Sequence, residues 1–438
     1  MLHMVSNKRE MRRFAAGLAF IGLMAGAGAC LAAPQWSTSL ENALESAKGD
    51  GRPVLLDFQA PWCYSCYFME GHVLNRQSFA EAARNLILLR VDVDEEEGRA
   101  LKEKYRVTFL PTYIVVNAAG KALGRIVGEQ AEPDFISKLK DITASGAGSP
   151  EDAEVASLRA KLSAADYDDA AGELAALEPA LAKRLSARKD WKILSARLSL
   201  MKAANGKGKD VGPALASLKE LLELEDSCDL AYDVLFGEKL LESIPAERRR
   251  MWLEIERKPL ESLVNGRALK GGCADFRSPV EALGGVYQGL ALEPDALGLY
   301  ARAVAYLEGL GVKVGEDRNR DDNLRFFLEL EKADDKLRTF YDRLVEAYGL
   351  DYVYPYRYAK YLEQQGKPGE ALPWIEKADR LCYGANRFTV TKTRAKILAA
   401  LGRKTEARAI LDRDVRVGEK PFPKEAAELR GILEELSR

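Results

Sequence analysis

Leu55-Leu56-Asp57-Phe58-Gln59-Ala60-Pro61-Trp62-Cys63-Tyr64-Ser65-Cys66 is the stretch whose reading decides the fold. It reads as a short apolar strand that runs out into a Cys-x-x-Cys pair at the start of a helix. Two intervening residues at a helix start leave the first thiol exposed and bring the second close enough to bridge it. Unpaired backbone N–H groups and the positive end of the helix dipole favour a thiolate at Cys63, and thiolate is the reactive form. Val54 to Phe58 is an almost continuous apolar run, as expected for a central strand buried on both faces, and Asp57 is its one ionisable member.

The flanks extend this pattern. Ser37 to Lys48 places Leu40, Ala43, Leu44 and Ala47 on one helical face, with Ser37 or Ser39 as N-cap, and Gly49-Asp50-Gly51 ends the helix. Downstream, the helix that opens at Cys63 runs to about Val73, and Leu86 to Val93 reads as a second central strand. The acidic run Asp92 to Glu97 reads as a solvated turn leading into a helix that ends near Tyr105. Thr112 to Val116 is a strand that turns at Asn117-Ala118-Ala119-Gly120, Lys121 to Val127 completes a hairpin, and Glu132 to Ile142 is a helix that covers one sheet face. This αβαβαββα order predicts an α/β domain, a central mixed sheet flanked by helices.

Asp57-Phe58, Ala60 and Trp62-Cys63-x-x-Cys66 together resemble the active-site segment of thioredoxin-fold proteins. With Gly51 to Phe58 before it and Met69-Glu70 after it, the segment is most similar to thioredoxin-like domains of the periplasmic DsbD-terminal type. Leu110-Pro111-Thr112 stands where the family carries a cis-proline loop facing the dithiol. The resemblance covers residues 34–145, about a quarter of the chain. It implies a thiol:disulfide oxidoreductase acting on protein substrates that carry thiols or disulfides, with no cofactor beyond its own sulfurs. Cys63 would attack and Cys66 would resolve the mixed disulfide. Asp57, the buried acid below the dithiol, would accept the proton that Cys66 loses. Trp62, Leu110, Pro111 and Thr112 would contact the substrate. Two departures stand out: Tyr64-Ser65 replaces the family's Gly-Pro, and Tyr67 stands where a Lys often follows the second cysteine. The direction of electron flow stays open.

The 438-residue chain is 47% hydrophobic and 30% charged with a formal net charge of −2. That is a globular composition without the basic stripe that nucleic-acid binding requires. Its two histidines are His3 and His72. This scarcity argues against a Ser-His-Asp or Cys-His catalytic arrangement and against a closed four-ligand zinc site built on Cys63 and Cys66. His72 reads as a surface residue at the end of the active-site helix. Lys8, Arg9, Arg12 and Arg13 precede an apolar run from Phe14 to about Ala33, the layout of a signal peptide over residues 1–33. The protein is thus expected in the periplasm or otherwise exported. Lipidation at Cys30 and an uncleaved membrane anchor are rival readings of the same segment. Working as a reductase outside the cytoplasm, it would draw electrons from a membrane donor. Cys228, Cys273 and Cys382 read first as small buried hydrophobes; the alternative, in an oxidising compartment, is that two of them bridge, with Cys228 and Cys273 the candidate pair.

The Gly/Ser-rich stretch from Thr143 to Pro150 marks a domain boundary, with 34–145 before it, a linker at 146–150 and residues 151–438 after it. That last and longest part has helical spacing and no convincing strand. Ala359, Leu362, Gly366, Glu370 and Ala371 align at an offset of 36 with Ala395, Leu398, Gly402, Glu406 and Ala407. Each set describes a helix, a tight turn and a second helix, which resembles a tetratricopeptide repeat. The expected architecture is therefore a thioredoxin fold followed by an all-α helical-repeat domain for partner docking, with an irregular helical bundle as the alternative for that second part. Asp317-x-Asn319-x-Asp321 lacks the Gly and closing Glu of a calcium loop and reads as a charged turn. The tyrosines between Tyr348 and Tyr361 read as helix packing or as a peptide-binding face. The competing function is a non-catalytic helical-repeat scaffold whose thioredoxin-like domain only binds.

Overall fold

The computed structural model describes residues 35–37, 39–143, 149–163, 166–206 and 211–436. The expected signal segment with Cys30, and most of the Gly/Ser linker, lie outside them. The chain begins with β1 (Trp36–Ser37) and α1 (Leu40–Asp50), which Ser39 caps by accepting from the Asn42 N–H and Gly51 closes in the left-handed conformation. Then come β2 (Val54–Gln59), α2 (Tyr64–Met69), a π-helical turn at Glu70–Leu74, and α3 (Gln77–Ala82). The helix expected to run evenly from Cys63 to Val73 thus changes winding after its sixth residue. β3 (Ile87–Asp92), α4 (Glu96–Lys104), β4 (Thr112–Val116), β5 (Ala122–Val127) and α5 (Glu132–Thr143) complete the first part.

The five strands form one mixed sheet in the order β1-β3-β2-β4-β5. β2 runs parallel to β3 and antiparallel to β4, with Asp57 opposite Arg90 on one side and Tyr113 on the other. Period-two alternation sends Val54, Leu56 and Phe58 to one face, where they pack with Ala43 and Leu101 of α1 and α4. Leu55 goes to the other face, with Met69, Phe79 and Phe135. A strand flanked on both sides and covered on both faces has to be apolar throughout, which is what makes buried Asp57 conspicuous.

Sixteen α-helices come next among the described residues. They begin with α6 (Pro150–Ser163), α7 (Tyr167–Ala176), α8 (Pro179–Leu185), α9 (Lys189–Asn205), α10 (Gly212–Leu224) and α11 (Leu230–Leu241). They continue as α12 (Ala246–Gly266), α13 (Arg277–Gly289), α14 (Glu293–Gly309), α15 (Arg318–Leu330) and α16 (Asp334–Ala347). The last are α17 (Val353–Gln364), α18 (Pro368–Leu381), α19 (Asn386–Ala400), α20 (Lys404–Gly418) and α21 (Pro423–Glu435). From α9 onward successive helices pack against one another, and between α17 and α18 and between α19 and α20 the chain turns at Gly366 and Gly402, with φ of 70° and 75°. Tyr341 stacks on Tyr358 at 4.6 Å and Tyr354 is fully buried, so most of that tyrosine cluster is helix packing.

The helices curl around the sheet domain and touch it at several places. Glu425 of α21 pairs with Arg99 of α4 at 2.5 Å. Asp166, just before α7, pairs with Arg106. Tyr383 donates to Asp92 at 2.6 Å, and the Ala385 N–H donates to the Asp94 carbonyl at 2.9 Å. Gly384 lies so near that a Cβ there would sit 2.2 Å from the Asp94 carbonyl oxygen. The acidic run from Asp92 to Glu97 is solvated at Glu95, Glu96 and Glu97, which open α4, but not at Asp94, which is 6% exposed because a loop nearly three hundred residues away covers it.

Cys228 and Cys273 form a disulfide across 45 residues, which ties the start of α11 to the segment before α13, while Cys382 stays free. Closing a loop of that length restricts the unfolded chain by about 4 kcal/mol in the loop-entropy model, an upper figure for real proteins. A Cys228→Ser/Cys273→Ser variant is expected to lose about 2–4 kcal/mol in urea unfolding. An unchanged midpoint would mean that the bridge restrains nothing beyond native contacts.

Candidate active site

β2 delivers the chain from the middle of the sheet to its end, and Pro61-Trp62 turn it into α2. Cys63 is the N-cap of that helix: its Sγ accepts from the Cys66 N–H at 3.1 Å. Cys63 and Cys66 are joined as a disulfide with Cα atoms 5.3 Å apart. Sulfur at a helix start faces backbone donors that stabilise negative charge, so opening this bond would leave Cys63 as the better thiolate. Both cysteines are largely buried, at 5% and 7% exposure.

Asp57 is 2% exposed on β2, and burial raises its carboxyl to about 7, with Arg90 opposing the shift and Glu70 adding to it. Arg90 is itself held by an ion pair to Glu70 at the start of the π turn. The Leu110–Pro111 bond is cis, and Gly128 donates to the Pro111 carbonyl at 2.9 Å. Of the residues expected to meet a substrate, Trp62 and Leu110 line the same cavity as Cys63. Pro111 is buried, and Thr112, 1% exposed, turns its hydroxyl inward to the Phe109 carbonyl at 2.8 Å. His72 stacks on Phe68 at 4.5 Å, away from the sulfurs' cavity lining.

The helical region meets the Cys-x-x-Cys segment directly. Asn319 of α15 donates to the Tyr64 carbonyl at 2.9 Å, and Arg357 of α17 donates to the Trp62 carbonyl at 3.2 Å. Arg277 lies 4.4 Å over the Tyr64 ring and Arg318 lies 4.3 Å over the Tyr67 ring. Trp62 is fixed from the sheet side, its Nε1 donating to Asp94 at 2.9 Å. The three residues that depart from the family pattern, Tyr64, Ser65 and Tyr67, are thus at or near this junction. The Asp317–Asp321 stretch is not a free charged turn: Asp317 caps α15, and Asn319 and Asp321 are buried within it.

Two acids escaped the sequence reading. Asp322, 1% exposed, takes Arg325 at 3.1 Å, Arg277 at 3.4 Å and also Arg357. Glu129, 7% exposed just after β5, has no geometrically sound hydrogen bond to either carboxylate oxygen. Burial and the nearby Asp275 hold its pKa well above the usual carboxylate range, and the Ser65 side chain offsets this in part. Neither has a local signal, since what makes them special is the company of residues distant in sequence.

Among the described residues no group of three or more His, Cys, Asp or Glu could hold a metal ion. The groups assembled here are two sulfurs in exchange-competent contact, a buried acid of raised pKa, and a cavity bordering the first sulfur.

Residues 35–118 match a family model described as "Thioredoxin-like", and this part of the chain is a thioredoxin-like domain. The "Thiol:disulfide interchange protein DsbD" of Pseudomonas fluorescens is 37% identical over 103 residues, covering 23% of this chain and 18% of that protein. Its counterpart from Ralstonia nicotianae is 33% identical over 106 residues, covering 24% and 17%. The chain thus matches less than a fifth of the length of these curated relatives. Among solved structures, one described as "DsbH Oxidoreductase" is 27% identical and covers 29% of this chain and 94% of its own, with a TM-score of 0.26.

Because the folded protein holds the Asp57 proton from pH 3.8 up to about 7, where the unfolded chain has lost it, stability falls as pH rises across that window and levels off above it. Asp57→Asn removes the titration. Its stability relative to the parent should therefore increase from pH 4 to pH 8 by a few kcal/mol, about 4 at most. Urea unfolding at several pH values checks this, and a pH-independent difference would show that Asp57 ionises normally.

Proposed function

We propose that this protein is an exported thiol:disulfide oxidoreductase that exchanges electrons with protein substrates through Cys63 and Cys66. The observation that carries the reading is the Cys63–Cys66 disulfide, with Cys63 capping a helix and bordering a cavity that Leu110 of the cis-proline loop also lines. In the reducing direction the Cys63 thiolate attacks one substrate sulfur and expels the other as a thiolate. Cys66 then attacks Cys63, which re-forms the protein disulfide and releases the substrate's second thiol. Asp57 takes the proton from Cys66, as an acid with a pKa near 7 can do at neutral pH. Trp62 and Leu110 border the reacting sulfur, while Pro111 and Thr112 shape the loop beneath it.

Export rests on the basic and apolar N-terminal segment, and the electrons for a reductase in that compartment would come from a membrane donor. Among the described residues no helix is long and apolar enough to cross a membrane. The helical region is read as a tetratricopeptide-like repeat on the strength of the 36-residue offset and its hairpins, and it serves to select partners. A second reading, a binding scaffold without turnover, draws on the 5% exposure of Cys63.

The readings separate in a simple assay. Wild-type protein with dithiothreitol should accelerate insulin reduction, and Cys63→Ser should bring the rate to background, a loss of at least about a hundredfold. Cys66→Ser should accumulate mixed disulfides on Cys63, visible by mass spectrometry. Full activity in Cys63→Ser would sink the assignment, and no activity in the wild type would favour the scaffold.

A further inference from the structure

The cavity beside Cys63 has a volume of about 640 Å³ and is built by both parts of the chain. Trp62, Cys63 and Leu110 form its sheet-domain side, and Leu162, Leu194 and Phe236 face them from α6, α9 and α11. Phe109 and Phe236 meet edge to face at 5.3 Å, so the apolar lining continues across the junction. With a helical wall opposite a cysteine that is 5% exposed, a narrow, extended segment reaches Cys63 more readily than the convex surface of a folded protein does. The volume is in the range of sites that enclose small molecules or a few residues of peptide.

The charge around this space is one-sided. Lys102, Lys138 and Arg159 line it, and none of the three forms an ion pair with a carboxylate among the described residues. Lys138 is held by the neutral side chain of Gln130. The acids in the lining are Asp229 and Asp233. Asp233 is already satisfied by both prongs of Arg197, at 2.7 and 2.9 Å, and Asp229 lies 3.8 Å from the same guanidinium. Arg277 and Arg357 reach the cavity too, and share the single buried carboxylate of Asp322. Carboxylates act on these cations from beyond ion-pairing distance, Asp229 and Asp134 on Lys138, Asp94 on Lys102 and Asp190 on Arg159, but the cations lining the cleft outnumber its acids, and such a surplus attracts carboxylates and repels basic chains.

We propose that the substrate of this site is an extended, cysteine-bearing peptide segment flanked by carboxylates, presented by an unfolded or flexible stretch of chain rather than by the surface of a folded protein. The proposal rests on the exchange reading above and specifies what exchanges. The apolar wall accepts the side chains that neighbour the reacting cysteine, and Lys102, Lys138 and Arg159 hold the acids beyond them.

Short peptides, each with one cysteine in mixed disulfide with thionitrobenzoate, test it against wild-type protein reduced with dithiothreitol and then desalted. Attack of the Cys63 thiolate on the peptide sulfur breaks the mixed disulfide and releases coloured thionitrobenzoate. Cys66 then frees the peptide thiol and closes the protein disulfide. The acidic peptide should react at least about tenfold faster than the basic one at low salt, and the ratio should shrink as salt screens the charges. The Lys102→Glu/Arg159→Glu variant should narrow or invert that ratio. A disulfide protein should be reduced faster after unfolding than when native. Equal rates for acidic and basic peptides, or equal rates for native and unfolded protein, overturn the proposal while leaving the exchange reading intact. Failure of every peptide, a neutral one included, to release the chromophore overturns the exchange reading and the proposal with it.

Discussion

One buried carboxylate organises the junction on which the rest depends. Asp322 on α15 is 1% exposed and takes Arg277, Arg325 and Arg357 from three different helices. Three guanidinium groups around one acid leave an interior excess of positive charge that must find other acceptors. Glu329 takes part of Arg325, at 2.8 Å. Glu281 takes part of Arg277, at 3.5 Å, and the remainder is met by the Trp62 carbonyl, which accepts from Arg357, and by the faces of Tyr64 and Phe326, over which Arg277 lies at 4.4 and 3.4 Å. Burial, with Arg277 beside it, still presses Arg357 down to about 10. The helical region thus grips the Cys-x-x-Cys segment through Arg357 and Arg277, two of the guanidinium groups that share Asp322.

The same contact explains the residues between the cysteines. A Gly-Pro pair would offer no aromatic ring to Arg277. Tyr64 supplies one, and its carbonyl also receives Asn319. Tyr67 supplies another to Arg318, and its hydroxyl donates to the Pro61 carbonyl, which ties the helix to the turn that precedes it. The dithiol is consequently framed by helices on one side and by the cis-proline loop on the other, and its chemistry opens onto a cleft rather than onto bulk solvent.

The sheet domain was legible in detail because its signals are local. An apolar run with one acid specified a strand buried on both faces, and Ser39 and Gly51 marked the ends of α1 by the caps they form. Gly366 and Gly402, both in the left-handed region, likewise marked tight turns between helices. The π turn at Glu70–Leu74 was not legible, since it has no compositional signature there. Asp94 was misread as solvated because the loop that covers it begins at Tyr383, and acidity alone predicts exposure. Glu129 and Asp322 gave no warning, for each is distinguished only by neighbours far away in the chain.

Sequence alone determined that two cysteines three residues apart sit at a helix start beyond a buried strand, that a carboxyl lies inside that strand, and that a long all-helical region comes after it. Those are consequences of periodicity, caps and spacing, which act over a few residues. Only the tertiary structure decided that the helices close over the dithiol, that Cys228 bridges Cys273, and that a cation-lined cleft forms beside Cys63. The physical reason is that desolvation, guanidinium pairing and cavity shape depend on which surfaces meet, and here the surfaces that meet at Trp62 and Arg357 are 295 residues apart.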